Sequence, residues 1–412
     1  MPEQTEIFLG RQPILDVRRR VVGYELLFRS GRHLKAGVTD DVLATSTVIV
    51  QTLGMFGIEA ALGKQTGFIN VSHDVLMSDV VELLPRKRVV LELLETIKID
   101  QSVIERCREL KSKGFRLALD DFQYDSSYEP LLGLIDVIKL DILLSSMDAI
   151  AEVQKRVERH SIRLLAEKVE DSEQFKRCRH YGFHLFQGYF FARPTILSAK
   201  KTSPNQAALL RVLNQVMTDI DISEIEQSFK ESPDLVLGLL RLVNSAAMGM
   251  RVQIGSIHQA LVLLGRQQLQ RWVQLLIYAR DGGNLSNPLM QLAATRARTM
   301  ELLNEWHAEH AKQAESAFIV GIMSLADVAL GLKIDDVVAQ INVVDEVKEA
   351  IVKQEGFFGH MLTLVKKTEA GDFAEASSLL SELGITPDEL NNAQLQAMQW
   401  ASNLTGESSS TI

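Results

Sequence analysis

Up to about Pro194 the chain alternates short apolar runs that read as strands with longer stretches that read as helices. The strand-like runs are Glu6–Gly10, Val21–Phe28, Gly67–Ser72, Val89–Leu94, Phe115–Phe122, Asp136–Asp141, Ile162–Glu167 and Leu185–Phe191. Helical stretches fall between most of them, at Thr39–Leu62, Ser72–Leu84, Ser102–Lys113, Ser146–His160 and Asp171–Tyr181, with Gly114 and Gly182 as stops. Strands that alternate with helices predict a parallel sheet with crossover helices. Seven or eight such units in about 190 residues predict a compact (β/α)8 barrel. An open doubly wound sheet is the alternative, but no Gly-rich phosphate loop follows any strand.

After Pro194 the period changes. The segment Ser198–Asn205 is polar and turn-rich, and from Gln206 apolar residues recur at helical spacing, as at Leu209, Val212, Leu213, Val216 and Met217. The expected organisation is therefore a barrel over 1–197, an all-α domain over 198–404 and a Ser-rich, disordered tail over 405–412. A net charge of −9 offers no support for direct nucleic-acid binding. The polar, acidic N-terminus is not a signal peptide, and no uncharged apolar run is long enough to span a bilayer. With only two cysteines, Cys107 and Cys178, a reducing cytoplasm is the expected setting.

In a (β/α)8 barrel, the polar residues at the C-terminal strand ends face the active site. Here those residues are Glu25, Asn70, Glu92, Asp120 with Asp121, Lys139 with Asp141, Glu167 with Glu170 close behind, and Gln187. Each has a bland alternative. Asp120–Asp121 could be a solvated turn, Asn70 a helix cap, Glu25 a partner for Arg29, Glu92 for Arg88, and Lys139 for Asp141. Together they resist those readings, because several strands place such groups at the same end. Oxygen-rich clusters without Cys or His suit Mg2+ or Mn2+. Adjacent carboxylates let one bridge two ions, and a paired-ion site suits phosphodiester cleavage. The residues alone therefore point to metal-assisted phosphodiester hydrolysis.

At the level of motifs, residues 6–194 resemble the EAL family of cyclic di-GMP phosphodiesterases. The resemblance is carried by Gln12-Pro13-Ile14, Tyr24-Glu25-Leu26-Leu27-Phe28-Arg29, Phe68-Ile69-Asn70-Val71-Ser72, Glu92-Leu93-Leu94-Glu95, Leu119-Asp120-Asp121-Phe122, Ile138-Lys139-Leu140-Asp141, Ala166-Glu167-Lys168-Val169-Glu170 and Gln187-Gly188-Tyr189. It implies two ions, Mg2+ or Mn2+, one held by Glu25, Asn70, Glu92 and Asp120, the other by Asp120 and Asp121. It implies that Lys139 and Gln187 position water, Glu167 acts as base, Glu170 supports the site and Glu95 steadies the loop after Phe122. Gln12, Arg29 and Asp141 become nucleotide contacts, and the product becomes linear pGpG. The chain departs from the family at the loop Gln123-Tyr124-Asp125-Ser126-Ser127-Tyr128, which lacks both family glycines. Leu94 stands where the family has Thr, and Lys168 where Gly is common.

The second half resembles the HDOD family, a helical relative of metal-dependent phosphohydrolases. Ser232-Pro233-Asp234-Leu235, Leu239–Ala246, Ser256–Ala260 and Leu263-Leu264-Gly265 carry this likeness. Where catalytic relatives carry a His–Asp pair, this chain has Ser324-Leu325, so the domain is expected to be regulatory and to bind a protein partner. His258, and the pair His307 and His310, are expected at the helix surface. The resemblance also allows a homodimer, and links to motility, attachment or biofilm control. The alternative to an enzyme is a weak or inactive cyclic di-GMP sensor that acts through partners.

Overall fold

In a computed structural model, the structure describes residues 7–30, 61–144, 147–188, 190–191, 204–218, 220–231, 235–236, 239–240, 254–278, 288–307 and 313–405. The expected helix over Thr39–Leu62 lies almost wholly outside them, as do the segment 198–203 and the tail 406–412. The chain divides into two compact units whose main boundary in sequence lies between Arg193 and Pro194, with Thr368–Ala374 assigned to the first.

The first unit is a closed barrel of eight strands in chain order. They are β1 (Ile7–Asp16), β2 (Val21–Ser30), β3 (Thr66–Val71), β4 (Val89–Leu93), β5 (Arg116–Leu119), β6 (Val137–Asp141), β7 (Arg163–Glu167) and β8 (Leu185–Gln187). The sheet is not parallel throughout, as the alternation predicted. β1 runs antiparallel to both β2 and β8, while the pairs from β2 to β8 are parallel. The reason is the connection: no helix separates β1 from β2, and a parallel pair needs a long crossover. Instead Asp16 Oδ1 accepts from the backbone N–H of Arg18 at 2.8 Å and of Arg20 at 2.9 Å, and Arg19 turns through φ +59°. β1 also continues to Asp16, beyond the expected end at Gly10.

The crossover helices start where side chains cap them. Asp100 accepts from Val103 N at 3.0 Å to open the helix Gln101–Ser112, and Asp171 accepts from Glu173 N and Gln174 N to open Ser172–His180. The barrel interior is filled by one apolar residue from each strand: Ile14, Val22, Phe68, Val90, Ala118, Val137, Leu165 and Leu185. A plug of this kind makes the barrel a packed core and leaves its C-terminal end as the place for chemistry.

The second unit is helical. Its described helices are Pro204–Met217, Ile222–Lys230, Ile257–Leu276, Pro288–Trp306, Ala314–Met323, Ala326–Leu330, Ile334–Val338, Asp345–Val352, Gly356–Glu369, Phe373–Leu383 and Pro387–Thr405. Ile257–Leu276 is broken at Gly265, whose φ of +67° is not helical. Gly321 is required by packing: a Cβ there would lie 2.5 Å from Ala297 Cα, so Ala314–Met323 and Pro288–Trp306 approach closely. Among the described residues, no helix is long and apolar enough to cross a membrane.

Candidate active site

The site follows from the strand period. Side chains two residues apart on a strand share a face. Asn70, Glu92, Asp120, Lys139, Glu167 and Gln187 each lie two residues beyond the plug residue of their own strand, on the C-terminal side. Gln12 lies two before Ile14, which is the same direction because β1 is reversed. Glu25 lies three beyond Val22 and still joins the ring. A bulge explains it: Gly23 pairs with Ile14 and Val21 with Leu15, so Val22 is the extra residue that resets the register.

Lys139 stands at the centre. It is 1% exposed, and its Nζ lies 2.7 Å from Asp120 Oδ1, 3.0 Å from Glu167 Oε1, 3.1 Å from Glu92 Oε1 and 3.4 Å from Glu25 Oε2. Its structural partner is thus this ring, and not Asp141. Glu25 is also held by amides. Asn70 Nδ2 donates to its Oε1 at 3.0 Å and Gln187 Nε2 to its Oε2 at 2.6 Å, while Gln187 Nε2 also donates to Gln12 Oε1 at 2.8 Å. Gly188 allows this arrangement. Its φ is +135°, and a Cβ would fall 2.2 Å from Val169 O.

Four carboxylates around one ammonium cannot all behave alike. Burial pushes Glu92 well above the usual carboxylate range, against the pull of Lys139. Burial also raises Asp120, and brings Glu167 up to about 7 despite the ammonium beside it. Glu25 goes the other way. Burial alone would raise it, but Lys139 and the two amides together hold it below its ordinary value. For Lys139, burial opposes the charged form, yet the surrounding Glu92, Glu25, Glu167 and Asp120 raise it well above an ordinary lysine.

The remaining expected residues lie around this ring. Asp121 is exposed, with a left-handed φ of +40°. Asp141 is turned to a tether: its Oδ1 accepts from Leu143 N at 2.8 Å and its Oδ2 from Lys168 Nζ at 2.5 Å. Glu170 follows β7, and its backbone N–H donates to Gln174 Oε1 at 2.7 Å. Glu95 is exposed, and its charge adds to burial and Asp125 in raising the Tyr128 hydroxyl. Arg29 lies in β2 opposite Phe8.

Sequence reasoning missed a clamp on the altered loop. The guanidinium of Arg156, on the helix Met147–Val157, lies 3.7 Å from the ring centroid of Tyr124. Its Nη1 donates to Tyr124 Oη at 2.8 Å, and Tyr124 donates to Glu129 at 2.8 Å. Arg156 also pairs with Glu129 at 3.0 Å and with Glu152 at 2.9 Å. Asp125 caps the turn that follows, and Phe122 meets Tyr128 edge to face at 5.1 Å. A cation over an aromatic face holds this loop without the family's glycines. The one available signal was the aromatic at Tyr124 itself.

Known proteins share this architecture. The sequence matches the EAL domain family over residues 2–194 and the HDOD domain family over residues 204–355. It is 32% identical to the cyclic di-GMP phosphodiesterase CdgJ of Vibrio cholerae, across 96% of this chain and 93% of that one. The chain belongs to the family that joins an EAL domain to an HDOD domain. The uncharacterized protein YuxH of Bacillus subtilis is 30% identical over 97% of this EAL–HDOD chain and 98% of its own. Among solved structures, a calcium and cy-diGMP complex of Klebsiella pneumoniae BlrP1 is 26% identical, covers 47% of this chain and 56% of that one, and has a TM-score of 0.38.

The EAL barrel's expected metal ligands converge on an ammonium. Among the described residues, no group of three or more His, Cys, Asp or Glu side chains is poised to hold a metal ion as it stands. The donor set nevertheless fits a hard cation. Asn70 Oδ1, Glu92 Oε2, Glu167 Oε2 and Gln187 Oε1 are buried without a hydrogen-bond partner, and Glu92 Oε1 has only its ion pair with Lys139. Buried oxygens of that kind are costly unless a donor or cation meets them, and all of them are oxygens, the ligand type of Mg2+ and Mn2+.

In the HDOD domain, the position of the missing His–Asp pair is structural. Ser324 Oγ donates to Gly321 O at 2.7 Å and accepts from the buried Arg296 at 2.6 Å. Tyr278 donates to Ile322 O beside it. His258 is 68% exposed and lies 3.0 Å from Glu226, and His307 is half-buried. His310 is outside the described residues.

Proposed function

We propose that the EAL barrel hydrolyses cyclic di-GMP to linear pGpG with divalent cations, and that the HDOD domain regulates it. One observation carries the reading: seven polar side chains, six from strands and one from the residue after β5, share the C-terminal end of the barrel with Lys139. The similarity to CdgJ along nearly the whole chain supports the choice of substrate.

In this reading Glu25, Asn70, Glu92 and Asp120 hold one divalent ion, Mg2+ or Mn2+, and Asp120 with Asp121 holds another. Bound ions supply neutralisation of the diester charge and a more acidic attacking water. The chain's own groups do the rest. Glu167, whose carboxyl burial lifts to about 7 in the metal-free ring, is the group that accepts a proton from water. Lys139 and Gln187 fix where that water sits. Water attacks phosphorus, the bond from phosphorus to the ribose 3′ oxygen breaks, and that oxygen leaves with a proton. In this reading Gln12 and Arg29 contact the nucleotide, and Glu170 supports the site.

We further propose the division into a barrel over 1–197 and a helical domain over 198–404, the latter non-catalytic and docking a protein partner. Cys107 and Cys178 are buried and unpaired, in keeping with the cytoplasmic setting expected. A second reading, sensing without turnover, is favoured by the Lys168 ammonium at the mouth. Incubation with cyclic di-GMP and Mn2+, with chromatography for pGpG, separates the two: turnover supports the enzyme, while tight binding without pGpG supports the sensor.

A further inference from the structure

Three successive strand ends at the barrel mouth carry an unusual group of charges. Asp121 follows β5, Asp141 ends β6, and Lys168 follows β7. Asp121 has φ +40° and Lys168 has φ +55°; Asp visits the left-handed region more readily than most side chains, but Lys seldom does. A backbone held there by neighbouring structure commonly serves a site. For Lys168 the holding group is visible. Its Nζ donates to Asp141 Oδ2 at 2.5 Å, and the other oxygen of Asp141 is taken by the backbone N–H groups of Leu143 and Leu144. Asp141 is therefore saturated and 5% exposed, while the Lys168 side chain remains 55% exposed. Besides Asp141, the charges of Asp121 and Glu167 act on the ammonium.

We propose that Lys168 is a tethered cation of the barrel mouth, held by Asp141 beside Asp121 and Glu167, where its positive charge stands in for part of that of a second divalent ion and opposes that ion's binding. This inference rests on the metal-dependent reading above. Its consequence is an asymmetry between the two ions. The inner set of Glu25, Asn70, Glu92 and Asp120 binds without interference from Lys168, whereas an ion at Asp121 meets a positive charge already in place. Asp141 accordingly acts as a positioning residue for Lys168.

The test is calorimetric titration of the metal-stripped full chain with Mn2+, which reads binding without turnover. In Lys168→Gly and Lys168→Gln the weaker Mn2+ step should tighten by about tenfold, the order expected when one partly exposed charge leaves a dication site. Where wild type shows a single equivalent, a second should appear in both variants. Lys168→Arg keeps the charge and should keep the wild-type isotherm. Unchanged isotherms in the Gly and Gln variants, with Mn2+ still bound, would overturn the inference and leave the proposed function standing. Tightening in Lys168→Gly alone would also overturn it, since relief of the left-handed backbone and not charge would then be the cause. No Mn2+ binding by any of the proteins would remove the proposed function and this inference together.

Discussion

Lys139 Nζ lies 2.7 Å from Asp120 Oδ1, and this contact joins the buried ammonium to the carboxylate that both proposed ions share. The pair lies on neighbouring strand ends, with Lys139 inside β6 and Asp120 just past β5. Asp120 N still bonds Leu93 O at 3.1 Å, so the backbone behind it remains in the ladder. A rigid frame therefore holds the charges together, and their repulsion is answered by one lysine.

Lys139→Met should lower the stability of the metal-free protein. Removing one partner from a buried charge cluster costs roughly 3–5 kcal/mol. Denaturant unfolding in chelator would read it, and added Mn2+ should raise the midpoint more in the variant than in wild type. Equal midpoints for the two metal-free proteins would contradict a central role for this ammonium.

The metal-free protein should lose stability as pH rises from about 4.5 to about 7. Glu167 is raised from an ordinary 4.5 to about 7, so in that window the folded state binds the proton more tightly than the unfolded state. Its contribution is most favourable below 4.5 and declines until the folded group has ionised. Asp120 and Glu92, also raised, act in the same direction, whereas Glu25, which is lowered, has its effect below about 4.5 and is constant across this window. Thermal melts in chelator across this range should show a shallower decline for Glu167→Gln than for wild type.

Arg156→Ala should loosen the loop 123–128 and leave the barrel folded. It removes the cation over Tyr124 and the hydrogen bond to its hydroxyl. Because these contacts are largely solvent-accessible, global stability should fall by no more than about 1 kcal/mol. Hydrogen exchange should nevertheless quicken at Tyr124–Tyr128. Unchanged exchange there would mean that the turn capped by Asp125 holds the loop unaided.

Gly188→Ala should be severe for its size. The added Cβ would overlap Val169 O and the residue would keep a φ that side chains rarely adopt. A loss of roughly 2–4 kcal/mol is expected, with Gln187 displaced from Glu25. A thermal shift on the purified variant checks it, and a wild-type melting temperature would contradict it.

The barrel and its ring of polar strand ends were legible because a strand alternates faces and an apolar run that ends on Glu, Asp or Lys leaves little choice. The hairpin was not, because Gln12 and Pro13 interrupt the apolar pattern of β1, which then reads as ending at Gly10. Nor does any pattern announce that Val22 is a bulge, so the inward turn of Glu25 needed the register itself. Lys139 could be read as buried, but not as the centre of four carboxylates contributed by four other segments. The Tyr124–Arg156 clamp joins residues far apart in sequence, and side-chain pairs of that kind leave no local trace.

Phosphodiester hydrolysis at the ring around Lys139 is the activity proposed for the barrel. Its most direct test is the time course of pGpG formation from cyclic di-GMP with Mn2+, for wild type and Glu25→Gln, with folding checked by circular dichroism. Wild type should form pGpG steadily and the variant about 100-fold or more slowly, the scale seen when a charged group that stabilises a transition state is removed. Tight nucleotide binding by wild type with no pGpG, or equal turnover by both folded proteins, would contradict it.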